Sequence, residues 1–512
     1  ELERVTGVPA HSLAKVVPGS VTAGEDIIRR FYLPAVEGLG KDIKFLEQYM
    51  TIKRADDVLA RSPSARLPGA LQGYGDLAKA EAALLKQMGP QRFTDVQQAA
   101  EELWRLNDAQ VLQPLLREGI LNAELYTALK SSHPHYIPFK RADFTDILGQ
   151  SFTKPEANVS STGIQRMGLE GSERDLDKPL LRLLSEPIKT QGLVARNKAA
   201  RSIVQALEAQ SRASGEELVR YIEPKRELNI AERVTGQAKP RAFKGEHSQV
   251  WETISYYEGG VKNTVEVPAI YGRVAKGLES EPDNVLLTVT RALNAPLRLG
   301  ATSYNPFFLP VNIMRDAMSA LFREQLIPFG PDHVRGLWAA IRKNSDFSEA
   351  AQSGALLSGI VDTMRSTAPL QRVQALGGIQ ASSAVDALLW LPRLVERANI
   401  IAEQATRVAV FQKLRAQGLS QLESAVRTRD ATVDFAKSGH SMRVVNAVLP
   451  FTNAAAQGQA NIIRAIRDHP VRSAIFASMF ASGAVLERVN NLRFDTSGMI
   501  PDYEYTRNWV IQ

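Results

Sequence analysis

The sequence predicts a mainly α chain, a multi-helix elongated or bundle-like architecture carrying one small β-hairpin element. Three observations lead there. Apolar residues recur at helical spacing through most of the chain. Only one segment has the composition of paired strands. Finally, 44% hydrophobic and 23% charged residues over 512 positions is the mixture of a folded globular protein, with enough chain for several domains.

Taken in order, residues 1–141 read as an N-terminal helical region. Phe45, Leu46, Tyr49, Met50, Ile52, Val58 and Leu59 form a helical stripe within 43–60. Residues 73–88 are rich in Ala, Leu, Lys and Glu, and stop at Gly89-Pro90. Thr94-Asp95 is placed as the cap of a further helix that halts near Gly119. Pro134 and Pro138 forbid a regular helix across Ser131–Arg141, which reads as an extended strap. Residues 142–216 read as a long polar loop followed by a helix with Arg196, Lys198 and Arg201 on its polar positions.

Residues 217–281 hold the hairpin element. QVWETISYY and VKNTVEV flank a Glu258-Gly259-Gly260 turn, and Leu218–Ile222 is a candidate third strand. A lone hairpin is marginal in water, so it must pack on helices or pair with that strand. Residues 282–512 read as a C-terminal helical domain. Its clearest helix is 385–416, where Leu391, Leu394, Ala398, Ile401, Ala405 and Val408 make one apolar seam. Glu403 and Arg407, four apart, read there as a surface ion pair. The apolar run Ala474–Leu486 is too short to span a bilayer and is expected to be a buried core helix.

Composition excludes several chemistries. The chain has no cysteine, which removes disulfides, thiolate nucleophiles and Cys-ligated metals. No GxxxxGK, HExxH or GxSxG pattern occurs. His133 and His135 could face the same side of an extended strap, but without a third ligand they read as surface or hinge residues. The sequence therefore yields no catalytic, cofactor or metal residues, and the chain is expected not to be an enzyme. The net charge of +7 permits contact with nucleic acid or anionic lipid without demanding either. Between Arg393 and Arg472 lie 12 basic and 6 acidic residues, a local net of +6. Arg393, Arg397, Arg464, Arg467 and Arg472 are its candidate contacts to DNA phosphates. Glu1, Glu3 and Arg4 interrupt any signal-like apolar run, and a first residue other than Met reads as a processed chain or one part of a longer one.

Two stretches look more specified than their surroundings. In SYNPFFLPVNIMRDAM, Asn305-Pro306 and Pro310 form a rigid turn with docked Phe307 and Phe308, and Asn312 is a plausible cap for a helix carrying Arg315 and Asp316. In the segment from Arg427 to Asp468, a helix carrying Asp434 and Phe435 ends at Gly439. Phe451 follows, and Asn453 and Gln457 place two amides one turn apart for polar locking between helices.

HYIPFKR, NPFFLPVNIMRDAM, RDATVDFAKSGH, LPFTNAAAQGQANIIRA and YEYTRNW together resemble the large polyvalent protein-associated helical domain found in internal virion (ejection) proteins of short-tailed phages. The resemblance implies a protein stored inside the virion and then expelled into the host cell envelope, helping to form a conduit for DNA. It implies partnership with other ejection proteins or with itself, backbone contact with double-stranded DNA, and contact with the host membrane, with no cofactor or small-molecule substrate. Two alternatives stay open. One is a portal-associated plug or adaptor that remains in the virion; the other is a cell-wall or nucleic-acid hydrolase with an unrecognised site near residues 133–175.

Overall fold

The computed structural model describes residues 2–61, 71, 76–132, 134–135, 179–222, 251–272, 308–356, 390–432, 459, 463, 466–468 and 470–493. These are mainly helical, with one small antiparallel sheet.

Prolines shape the N-terminal helices. The run from Ser20 to Glu37 widens into a π turn at Ile28–Tyr32, immediately before Leu33-Pro34. The run from Pro90 to Arg117 does the same at Asp108–Leu112, before Gln113-Pro114. A proline ring collides with the carbonyl four residues back and offers no N–H, and a wider turn accommodates both. The second run ends near Gly119, as its sequence predicts, where φ is +73°. Its start differs from expectation. Pro90 occupies the first turn after Gly89, and Thr94 lies inside the helix with its hydroxyl donating to the Pro90 carbonyl at 3.0 Å. Proline tolerates a first turn because its missing N–H would have no helical partner there.

A first core joins Ile43–Arg61, Leu77–Met88 and Pro90–Asn107 through Leu46, Met50, Leu84, Val96 and Leu103. The Pro179–Ser214 helix continues it with Leu183, Leu184 and Ile188. At 36 residues this helix is about 54 Å long and acts as a spine. Its far half contributes Ile203, Val204 and Leu207 to a second core beneath the sheet, with Ile254, Val265 and Val267. The Ser20–Ile27 helix crosses the spine where Gly24 meets Ile188; a Cβ at Gly24 would lie 2.4 Å from the Ile188 Cα.

The hairpin forms as the sequence expects. Strands β2 (Trp251–Glu258) and β3 (Val261–Pro268) pair antiparallel, with Glu258 opposite Val261. Gly259 and Gly260 close it at φ +60° and +81°, the left-handed values that a tight two-residue turn requires. The expected third strand is present as β1 (Arg220–Tyr221), paired with β3. The sheet is tied to the helices by Asn197 of the spine. Its amide donates to the Tyr257 carbonyl at 3.0 Å and accepts from the Tyr257 N–H at 2.7 Å. A buried side chain thus takes the place of a neighbouring strand.

The third group surrounds the Trp390–Ala416 helix: Phe308–Glu324, Pro331–Arg342, Ser345–Gln352 and Gln421–Ala431. Phe347, Leu356, Val408 and Phe411 are its centre. The N-terminal helices are built into this group. A Cβ on Gly19 would sit 2.4 Å from the Gly354 carbonyl oxygen, and Lys15 pairs with Asp430. The buried Asp26 carboxylate pairs with Arg29 and accepts from the Ser348 hydroxyl at 3.1 Å.

Four expectations are corrected. Glu403 and Arg407 are not at the surface: they are 4% and 1% exposed and pair at 2.8 Å, because the helix that carries them is enclosed by its neighbours. Leu394, assigned to the apolar seam, is exposed. Asn312 does not cap a helix: the helix begins at Phe308, so Asn312 lies within it, buried, accepting from the Arg315 guanidinium. Arg315 also pairs with the buried Asp316 at 3.0 Å. The Ala474–Leu486 run is not buried all round: each of its described side chains is exposed. It belongs to Pro470–Arg493, whose Ile475, Val485 and Leu486 are between 54% and 60% exposed. No described helix is long and apolar enough to cross a membrane. The expectations for Asn305, Pro306, Phe307, Asp434, Phe435, Gly439, Phe451, Asn453 and Gln457, and for the 142–175 loop, lie outside the described residues.

Candidate interaction surface

The Pro331–Arg342 helix has two apolar faces. Gly330 and Pro331 start it, Asp332 complements the positive N-terminal end of its dipole, and Lys343 ends it at φ +51°. The inner face is His333, Gly336, Ala339 and Ala340, all buried. Small residues there allow close approach to the Trp390–Ala416 helix: a Cβ on Gly336 would lie 2.5 Å from the Ala405 carbonyl oxygen. The outer face carries Val334, Leu337, Trp338 and Ile341, at spacings of three and four. Ile327 and Phe329 extend it through the preceding turn. Leu337 is 40% exposed and the other five are between 52% and 65% exposed. Scattered exposed apolar residues are ordinary, but six on one ridge mark a contact surface.

The ridge is rigidly seated. Phe329, at φ +57°, donates its amide to the buried His333 Nδ1 at 3.1 Å, and the rings stack with centroids 5.6 Å apart. With Nδ1 accepting, the proton of the neutral ring sits on Nε2, 3.2 Å from the Thr406 hydroxyl. Burial holds the His333 pKa below its ordinary value, which favours that neutral form. Arg342 lies 4.5 Å from the Trp338 ring centroid, and Lys413 donates to the Gln325 carbonyl at 2.5 Å.

The Pro470–Arg493 helix has a second exposed stripe. At 100° per residue, Ile475, Ser478, Ser482, Val485, Leu486 and Val489 fall on one face. Arg472 anchors one end of this helix to the chain, donating to the Phe322 and Arg323 carbonyls at 3.2 Å each.

The basic residues singled out for phosphate contact do not assemble into one patch among the described residues. Arg467 is exposed and pairs with Asp468 at 2.8 Å, while Arg472 is turned onto carbonyls. Arg397 is exposed on the Trp390–Ala416 helix, which also carries Arg393. Arg464 and the Arg393 side chain lie outside the described residues.

The polar clusters serve to join elements. His135 Nδ1 lies 2.8 Å from Asp57 Oδ1, its amide donates to Oδ2 at 2.9 Å, and its ring meets Trp104 at 4.5 Å. This ties the turn after Ala123–Ser132 to the Ile43–Arg61 helix. Glu118 accepts from Asn197 at 3.2 Å and pairs with Arg201 at 3.0 Å, and burial raises its pKa against the opposing pull of Arg201 and Lys198. No group of three or more His, Asp or Glu that could hold a metal occurs among the described residues. His133 lies outside them.

No family model, curated protein or solved structure matches this chain. Sequence reasoning missed the ridge, although its signal was present. In HVRGLWAAI, one set of helical positions is small and the opposite set is large and apolar, a pattern that serves two contacts at once.

Proposed function

We propose that this chain is an internal virion (ejection) protein, expelled into the host envelope, where it assembles with other ejected proteins and with itself into a conduit for DNA. The observation that carries the assembly role is the exposed stripe on the Pro470–Arg493 helix. A helix with apolar residues at both ends of one face and Ser478 and Ser482 between them is suited to close packing against another helix. The mainly helical architecture and the resembling segments support the same reading. Backbone contact with double-stranded DNA is part of the same proposal and rests on the resembling segments, not on an assembled basic patch.

The test follows the chain through infection, by quantitative immunoblot of purified virions and of host envelope fractions after adsorption. The expected result is recovery from virions before infection and from the envelope afterwards. Retention in emptied particles would favour a portal-associated plug or adaptor, and absence from virions would overturn both.

A further inference from the structure

We propose that the ridge formed by Ile327, Phe329, Val334, Leu337, Trp338 and Ile341 is a docking site for the surface of an anionic lipid bilayer. The ridge is supplied by one turn and one helix, and the other side of that helix is committed to the protein core through His333, Gly336, Ala339 and Ala340. It therefore cannot roll inward to hide its outer face. Side chains more than half exposed on such a ridge protrude, and protruding apolar side chains enter a headgroup layer more readily than they fill a partner's flat face.

Charge selects the lipid. Arg335 and Arg342, seven residues apart, lie along one flank of the apolar face beside Trp338. Lys413, partly buried, adds a third cation nearby, where it donates to the Gln325 carbonyl. Asp332 is the one acidic residue of the Pro331–Arg342 helix, and it already lies 3.8 Å from Arg335. An apolar face carrying Trp and Phe with a cationic border matches the boundary between acyl chains and anionic headgroups. The insertion is shallow, since the helix lies along the surface and no described helix is able to span. This deepens the envelope role proposed above, resting on it only for where such a bilayer is met.

The experiment is flotation of the purified full chain with phosphatidylcholine vesicles and with phosphatidylglycerol–phosphatidylcholine vesicles, at low and high salt. The expected result is saturable binding to the anionic vesicles that weakens as salt rises. Phe329→Ser with Trp338→Ser is expected to reduce affinity about tenfold or more, and Arg335→Glu with Arg342→Glu by a similar factor. All four sites are exposed, so thermal midpoints should stay close to wild type; a variant that melts early is replaced by Val334→Ser with Ile341→Ser. Absence of wild-type binding, or binding unchanged in the ridge variants, overturns the proposal. So does a wild-type oligomer that these variants convert to monomer with vesicle binding intact, which assigns the ridge to a second copy. Any of these results, alongside recovery of the chain from infected envelopes, would remove the ridge and leave the ejection role standing.

Discussion

The Phe329 amide and His333 Nδ1, 3.1 Å apart, couple the exposed ridge to a histidine buried behind it. The bond exists only while Nδ1 is unprotonated. Burial holds the folded pKa below the ordinary 6.5, so the unfolded chain takes up the proton first as pH falls. The stabilising contribution is complete above pH 6.5 and is lost as pH falls through the window beneath it. Urea midpoints should decline on acidification below 6.5, and His333→Gln should flatten that part of the profile. An unchanged slope in the variant would show that other groups set it.

Lys343 should give a second pH window, on the alkaline side. Burial, assisted by the nearby Arg29 charge, pulls its pKa down to about 7 from 10.5. Its Nζ is 3.8 Å from the Phe347 ring centroid and meets the Gln404 side-chain oxygen. Between these pKa values the unfolded chain holds the extra proton, so stability rises with pH across the window and is lower at and below its acid end. Lys343→Met should remove that rise and raise stability at pH 7 by roughly 1–2 kcal/mol, a fraction of the shift because the head group keeps some water. Paired urea titrations at neutral and alkaline pH read this directly.

The Glu403–Arg407 pair makes a prediction opposite to that of a surface salt bridge. Arg407 also donates from Nε to the Thr432 hydroxyl at 3.0 Å. Glu403→Leu removes the carboxylate 2.8 Å from a buried guanidinium and should cost about 3–5 kcal/mol. Glu403→Leu with Arg407→Met should recover most of that loss, because the apolar pair carries no desolvation penalty. A double-mutant cycle by chemical denaturation checks it; additive losses would mean that the two side chains do not act together.

Gly336→Ala should destabilise, although Gly→Ala within a helix ordinarily stabilises by about 0.4–1 kcal/mol. The new Cβ would lie 2.5 Å from the Ala405 carbonyl oxygen and 2.8 Å from the Ala409 amide nitrogen, backbone atoms that cannot rotate aside. A cost of about 1–3 kcal/mol is expected from forcing the two helices apart. Differential scanning calorimetry separates the signs, and a raised melting temperature would contradict the close crossing.

Much of the fold was legible because periodicity is a local property. The Ile43–Arg61 stripe, the spine helix and the hairpin with its third strand followed from spacing, β-branched composition and two consecutive glycines. The candidate surface was only half legible. The spacing of Val334, Leu337, Trp338 and Ile341 shows an apolar face but does not say whether anything covers it.

By itself, the sequence determined the mainly helical class, the hairpin with its third strand, and the absence of thiol chemistry. Tertiary structure alone decided that Glu403 and Arg407 are enclosed, that Ile475 and Leu486 face outward, and that Asn197 completes the edge of β2 at Tyr257. The reason is physical. Helical and strand patterns arise from neighbours a few residues away, whereas burial depends on which distant element arrives to exclude water.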